Sequence, residues 1–109
     1  MDTMFHLKDS TLVAELCGEI DHHVCDKIRE DIDKELELYE INHLVFDFSD
    51  VTFMDSSGIG VVLGRYKKLK KIGGTVTIRN ASRLVKQILD MSGIFTLMEY
   101  EEEEEEDGK

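Results

Sequence analysis

The feature that most constrains the fold is a repeated switch between two hydrophobic periods. Residues 43 to 48, HLVFDF, are short, β-branched or aromatic, and apolar on both faces except at Asp47. That is the pattern of a strand covered on both sides in a parallel sheet. After SDVTFMD the apolar positions become Ile59, Val62, Leu63, Tyr66, Leu69 and Ile72, which is helical spacing. Arg65, Lys67, Lys68, Lys70 and Lys71 gather in the C-terminal half of this segment, where cations favour the helix dipole, and Gly73-Gly74 ends it.

The same alternation runs along the rest of the chain. TLVAELCGEID, Thr11 to Asp21, reads as a strand that breaks at Gly18. HHVCDKIREDIDKELELY follows with Val24, Ile28, Ile32, Leu36 and Tyr39 on one amphipathic face, Asp21 as its N-cap and Glu30–Lys34 as an i,i+4 pair. TVTIRN reads as a strand, SRLVKQILDM as a helix capped by Ser82, FTLMEY as a last strand, and FHLKD near the start as an edge strand. The order β, β, α, β, α, β, α, β predicts an α/β domain. Its mostly parallel, mixed sheet has four to five strands flanked by helices.

A chain of 109 residues without proline, repeat or linker is expected to form one domain over residues 1–100. The net charge of -11 argues against nucleic acid or an anionic membrane surface as partner, because both repel an acidic protein. Much of the charge is local: EEEEEEDGK, residues 101–109, holds seven acidic residues and one lysine, and is expected to be a solvated, disordered tail. No apolar run approaches the roughly 18 residues that cross a bilayer, and residues 1–10 lack the organisation of a signal peptide, so a cytoplasmic protein is expected. Cys17 and Cys25 form no CxxC pair and read as free, buried thiols.

The stretch FMDSSGIGVV, residues 53 to 62, places a carboxylate, two hydroxyls and two glycines at a strand-to-helix turn, where helix amides point outward. A nucleophilic serine would need a GxSxG-like elbow and an assembled histidine and acid, which DSSGIG with His6, His22, His23 and His43 does not supply. A phosphate loop would need GxxxxGK[ST], and Gly58, Gly60 and Gly64 are followed by Arg65 instead. In the third reading a serine is itself the substrate of another protein. If Asp55 or Ser56 caps the helix, Ser57 follows in the first turn with an accessible hydroxyl, Gly58 removes an obstructing side chain, and Gly60 admits another backbone. A plain capped helix with packing glycines has the same local chemistry.

The run DSSGIGVVLGRYKKLKKIGG, with GEIDHH upstream and DMSGIF downstream, closely resembles the anti-sigma factor antagonists of the STAS domain family, in particular the sporulation stage II type that acts on sigma-F. The similarity spans roughly residues 3 to 100. It implies a non-enzymatic switch without cofactor or metal of its own. The unphosphorylated form would bind an anti-sigma factor that is also a serine kinase carrying ATP or ADP, and so release the sigma factor. Phosphorylation of the second serine of DSSG, here Ser57, would inactivate it, and a metal-dependent serine phosphatase of the PP2C type would restore it.

The partner surface implied is Asp21, Asp55, Ser56, Ser57, Gly58 and Gly60, with Asp21 carried over from the acid-histidine loop Asp21-His22-His23. A metal at His22 and His23 has little support, since adjacent histidines point apart and no third ligand is evident. Arg65 and the lysines of 67 to 71 read as a solvated helix end. The alternative function is a small-ligand or nucleotide-sensing domain of the same fold, with the helix N-terminus as its anion site.

Overall fold

A computed structural model describes residues 3–102. The elements are β1 (Met4–Lys8), β2 (Thr11–Ile20), α1 (His22–Leu38), β3 (His43–Met54), α2 (Ser56–Lys71), β4 (Thr75–Arg79), α3 (Arg83–Met91), a 3-10 turn (Ile94–Thr96) and β5 (Glu99–Glu101). They form one five-stranded sheet in the order β1-β2-β3-β4-β5. Only β1 is antiparallel to its neighbour; the other three pairings are parallel. The expected α/β architecture with a mixed, mostly parallel sheet is therefore what forms. Glu101 closes β5, and the rest of the acidic run beyond residue 102 lies outside the described residues.

Side chains alternate across the pleat. Leu12, Ala14 and Leu16 of β2, Leu44, Phe46 and Phe48 of β3, and Val76 and Ile78 of β4 share one face and one apolar cluster. Into the same cluster go Ile28 and Ile32 of α1, Val61, Val62 and Leu69 of α2, and Val85 and Leu89 of α3. The alternate residues are polar by comparison. On that face His43 Nε2 and Thr77 Oγ1 lie 3.0 Å apart, and Arg79 Nε donates to Asp47 Oδ2 at 3.0 Å. β3 is thus buried on both faces, as its sequence requires, but the second face combines Val45 with polar pairs.

The main departure from the sequence reading lies in the lengths of the two central strands. β2 does not break at Gly18 and β3 does not stop at Phe48; ten residues of β2 run beside twelve of β3 through two register shifts. Each shift is a β-bulge that gives β3 one extra residue. At the first, Asp47 Oδ1 accepts from the backbone N–H of Ser49 at 2.9 Å and from its hydroxyl at 2.7 Å. At the second, Gly18 takes a φ of +80°, which glycine adopts at little cost. The two strands regain register at their last residues, Ile20 beside Met54.

Three smaller corrections concern the last strand and α1. FTLMEY is not a strand throughout, because Ile94–Thr96 turns as a 3-10 helix and pairing begins only at Glu99. On α1 the buried stripe is Cys25, Ile28 and Ile32, with Leu36 packed against it, while Val24 and Tyr39 are exposed. The i,i+4 ion pair on that helix is Lys27–Asp31 at 3.1 Å rather than Glu30–Lys34.

Asp47 holds the bulge and ties β3 to β4, so its ionisation is coupled to stability. Burial pushes its carboxyl upward, but the Ser49 amide and hydroxyl and the Arg79 guanidinium outweigh that and leave it below the ordinary carboxylate range. A carboxyl depressed by folding contributes fully above its unfolded value, about 3.9, and loses that contribution as pH falls through the lower folded value. Asp47→Asn should therefore cost about 1.5–3 kcal/mol at neutral pH, the range of a hydrogen bond to a charged group. Urea titrations of both proteins should converge as pH is lowered below about 4.

Candidate functional site

Because Ile20 and Met54 end their strands side by side, the next residue of each strand meets solvent at the same edge of the sheet. Those residues are Asp21 and Asp55, and the Asp55 N–H donates to the Ile20 carbonyl at 3.2 Å. Each is a helix N-cap with nearly the same backbone: φ -116° and ψ -175° for Asp21, φ -113° and ψ -170° for Asp55. Asp21 Oδ1 accepts from the N–H of His23 at 2.9 Å, and Asp55 Oδ1 accepts from the N–H of Ser57 at 2.8 Å. Two capped helix starts, built alike, thus stand next to each other. The choice left open between Asp55 and Ser56 as cap falls to Asp55.

The cap starts the helix at Ser56, and helical spacing then sets the two serines over different neighbours. Ser56 lies one turn above Gly60 and is exposed; Ser57 lies one turn above buried Val61 and is half-buried. Ser57 is therefore not the more accessible of the two, contrary to the sequence argument, but sits nearer the seam between α2 and the sheet. Its amide is held by Asp55, and its hydroxyl has no hydrogen-bond partner among the described residues. Of the six sequence-predicted partner residues, Asp21, Asp55 and Ser57 cluster half-buried at this edge, with Ser56 and Gly60 exposed around them.

The two glycines have different roles. Gly58 is buried: a Cβ there would come within 2.7 Å of Met54 Cε and 3.1 Å of Ile20 Cγ2. Its missing side chain lets α2 start hard against the ends of β2 and β3 and is not an opening for an incoming enzyme. Gly60 is exposed and a Cβ there would meet nothing within 4 Å, so the surface over it is open. Two apolar side chains that the sequence reading did not assign to the site, Val24 and Phe53, are 38% and 43% exposed within three residues of the caps. Phe53 follows from the unforeseen length of β3. Val24 could have been found from the rival stripe that begins one residue later at Cys25.

The electrostatics of the edge are acidic. Burial raises the Asp21 carboxyl, but the His23 amide, the His23 ring and the His22 ring together bring it below the usual range, so it stays charged near neutrality. Beneath the caps, burial pushes the Cys25 thiol up, and the nearby charges of Asp55 and Asp21 push it further while Arg29 opposes them. Cys25 is therefore a packed apolar group held protonated; Cys17 is only half-buried, short of the full burial expected. His22 and His23 do not point apart: their exposed rings lie 4.0 Å apart and tilted by 35°. Among the described residues no three His, Cys, Asp or Glu side chains are grouped to hold a metal ion.

Arg65 is the largest departure from expectation on α2. It is not part of a solvated end but is 5% exposed, with Nε 3.2 Å from Asp33 Oδ1 of α1. Lys68 Nζ reaches the other oxygen of the same carboxylate at 3.1 Å. Lys67, Lys70 and Lys71 remain exposed as expected.

Among the described residues no helix is long and apolar enough to cross a membrane. The STAS domain model matches residues 3–106. An anti-sigma F factor antagonist of Paenibacillus polymyxa is 40% identical over 87 residues, covering 80% of this chain and 74% of the relative. An anti-sigma-B factor antagonist of Bacillus subtilis (strain 168) is 32% identical over 79% of this chain and 77% of its own length. Among solved structures, the anti-sigma factor antagonist SpoIIAA in its unphosphorylated form superposes with a TM-score of 0.83 at 30% identity, covering 96% of this chain and 90% of that one. SpoIIAA of Bacillus in the phosphorylated form superposes with a TM-score of 0.75 at 29% identity, covering 96% and 94%. With the model spanning nearly the whole chain and these relatives covering most of it, the chain belongs to the STAS domain family, alongside the anti-sigma F factor antagonists.

Proposed function

We propose that this protein is an anti-anti-sigma factor of the cytoplasm and not an enzyme. In its unphosphorylated form it binds an anti-sigma factor that is also an ATP-using serine kinase, and thereby frees the sporulation sigma factor F. Phosphorylation of Ser57 turns it off, and a PP2C-type phosphatase turns it on again. The observation that carries this reading is the edge formed by Asp21, Asp55 and Ser57, where two aspartate-capped helix starts adjoin and the Ser57 hydroxyl has no partner of its own among the described residues.

The charge balance there explains how one phosphate could act on binding and spare the fold. A phosphate adds about -1.5 to -2 charge and three acceptor oxygens. On the second residue of α2 it lies at the positive end of the helix dipole, which tolerates an anion. The same phosphate stands beside the Asp55 carboxylate and near Asp21, so a partner shaped for a neutral hydroxyl meets bulk, repulsion and a desolvation cost. About 3 kcal/mol of such cost weakens binding roughly a hundredfold. Val24 and Phe53, exposed within three residues of the caps, add apolar surface to this edge.

Incubation with the cognate kinase, ATP and magnesium should place one phosphate on Ser57, as mapped by mass spectrometry; phosphate on exposed Ser56 instead would overturn the assignment. Ser57→Ala should abolish labelling and keep binding within about twofold of wild type, while Ser57→Asp should lower affinity by at least about tenfold, measured by calorimetry against the nucleotide-loaded partner. Both variants should keep the far-ultraviolet circular dichroism of wild type. A Ser57→Asp protein that binds as tightly as the parent would remove the repulsion argument.

A further inference from the structure

We infer that the ion cluster of Asp33, Arg65 and Lys68 sets the rotation and tilt of α2 against α1, so that Asp33 and Arg65 are positioning residues for the Ser57 hydroxyl. The inference rests on the binding surface proposed above. The strand ends fix where the two helices begin, through the pairing of Ile20 with Met54 and the Asp55-to-Ile20 hydrogen bond. They do not fix how each helix turns about its own axis. Side-chain packing contributes to that through Val61, Val62 and the partly buried Ile59 and Leu63, but the first half of α2 also contains Gly58, Gly60 and Gly64, which offer no side chain to the seam. Arg65 is the first fully buried long side chain of α2.

The geometry of the cluster suits orientation better than stability. One carboxylate on α1 receives two cations from α2, at 3.2 Å from Arg65 and 3.1 Å from Lys68. Yet Nε and Nη1 of Arg65 and Oδ1 of Asp33 have no hydrogen-bond partner among the described residues; the separation is that of an ion pair, but the N–H bonds are not aimed at the oxygen. Burial pushes the Arg65 guanidinium down from its ordinary value and the Asp33 charge pulls it back, with Arg29 adding to the depression. A buried pair whose desolvation is not offset by hydrogen bonds adds little net stability, whereas separating it leaves two buried charges alone. A rotation of α2 that separated Arg65 from Asp33 would leave both charges buried and unpaired, and is resisted on that ground. Ser57 lies on the same rigid helix about 12 Å from Arg65, so the direction of its hydroxyl follows from that contact.

The test separates stability from orientation. The double variant Asp33→Leu/Arg65→Met replaces the pair by apolar groups and should melt at or above the wild-type temperature. It should nevertheless bind the anti-sigma kinase at least tenfold more weakly and show a raised KM for phosphorylation at Ser57 with kcat unchanged. A double variant that melts normally and binds within twofold of wild type would overturn the inference. Should that variant not fold, Asp33→Asn serves in its place, read by amide hydrogen exchange in the free protein. Exchange at the cap amides of His23 and Ser57 should accelerate at least tenfold more than at Leu44 and Phe46, and equal acceleration in both sets would overturn the inference. The exchange readout needs no partner, so a wild-type protein that fails to bind the kinase would count against the proposed function alone.

Discussion

The parallel pairing of β2 with β3, carried through two bulges to Ile20 and Met54, is the constraint on which the rest of the molecule depends. Parallel strands point their C-terminal ends the same way, so whatever follows them emerges at one edge. Here both strands lead directly into an aspartate and a helix. A register error of a single residue would move one aspartate to the wrong face of its strand and separate the two caps. The bulges therefore keep two strands of unequal length finishing together, and Asp47 and Gly18 are the residues that make them possible.

A surface built from helix starts carries a particular kind of sensitivity. The amides of Ser57 and His23 are already occupied by the capping carboxylates, so the positive field of each helix end is partly neutralised before any partner arrives. An added anion finds the dipole favourable but also finds two carboxylates in place. In the free protein these terms oppose one another in water, whereas a surface docked over the edge would exclude the water that screens the repulsion. Local order and recognition are thus affected by the same charge to very different degrees.

Much of this was legible in the sequence, and the parts that were not share a cause. The alternation of periods set the element order, and Asp21, Asp55, Ser82 and Gly73-Gly74 mark helix boundaries because capping and termination act within a few residues. The length of β3 was hidden by Ser49 and Asp50, whose polarity reads as a loop unless the bulge that exposes them is known. Val24 and Cys25 offered two stripes on α1 one residue apart, and only contact with the sheet decides between them. Arg65 resembled its lysine neighbours, and nothing local to it reveals Asp33, thirty-two positions earlier, waiting across the seam. The exposures of Ser56 and Ser57 were likewise set by what lies one turn below, Gly60 and Val61, more than by the cap. Periodicity reports on a helix or strand alone; the misses all arise where two elements meet.

The near identity of the two aspartate-capped turns has an implication for how an enzyme picks its target. In backbone terms the start of α1 and the start of α2 are duplicates, down to a carboxylate gripping the second amide of each helix. They differ in what that second residue carries: an imidazole at position 23 and a hydroxyl at position 57. Any enzyme that read chain geometry alone would find two equivalent turns on this edge, so telling them apart would rest on the identity of one side chain and on the open surface at Gly60.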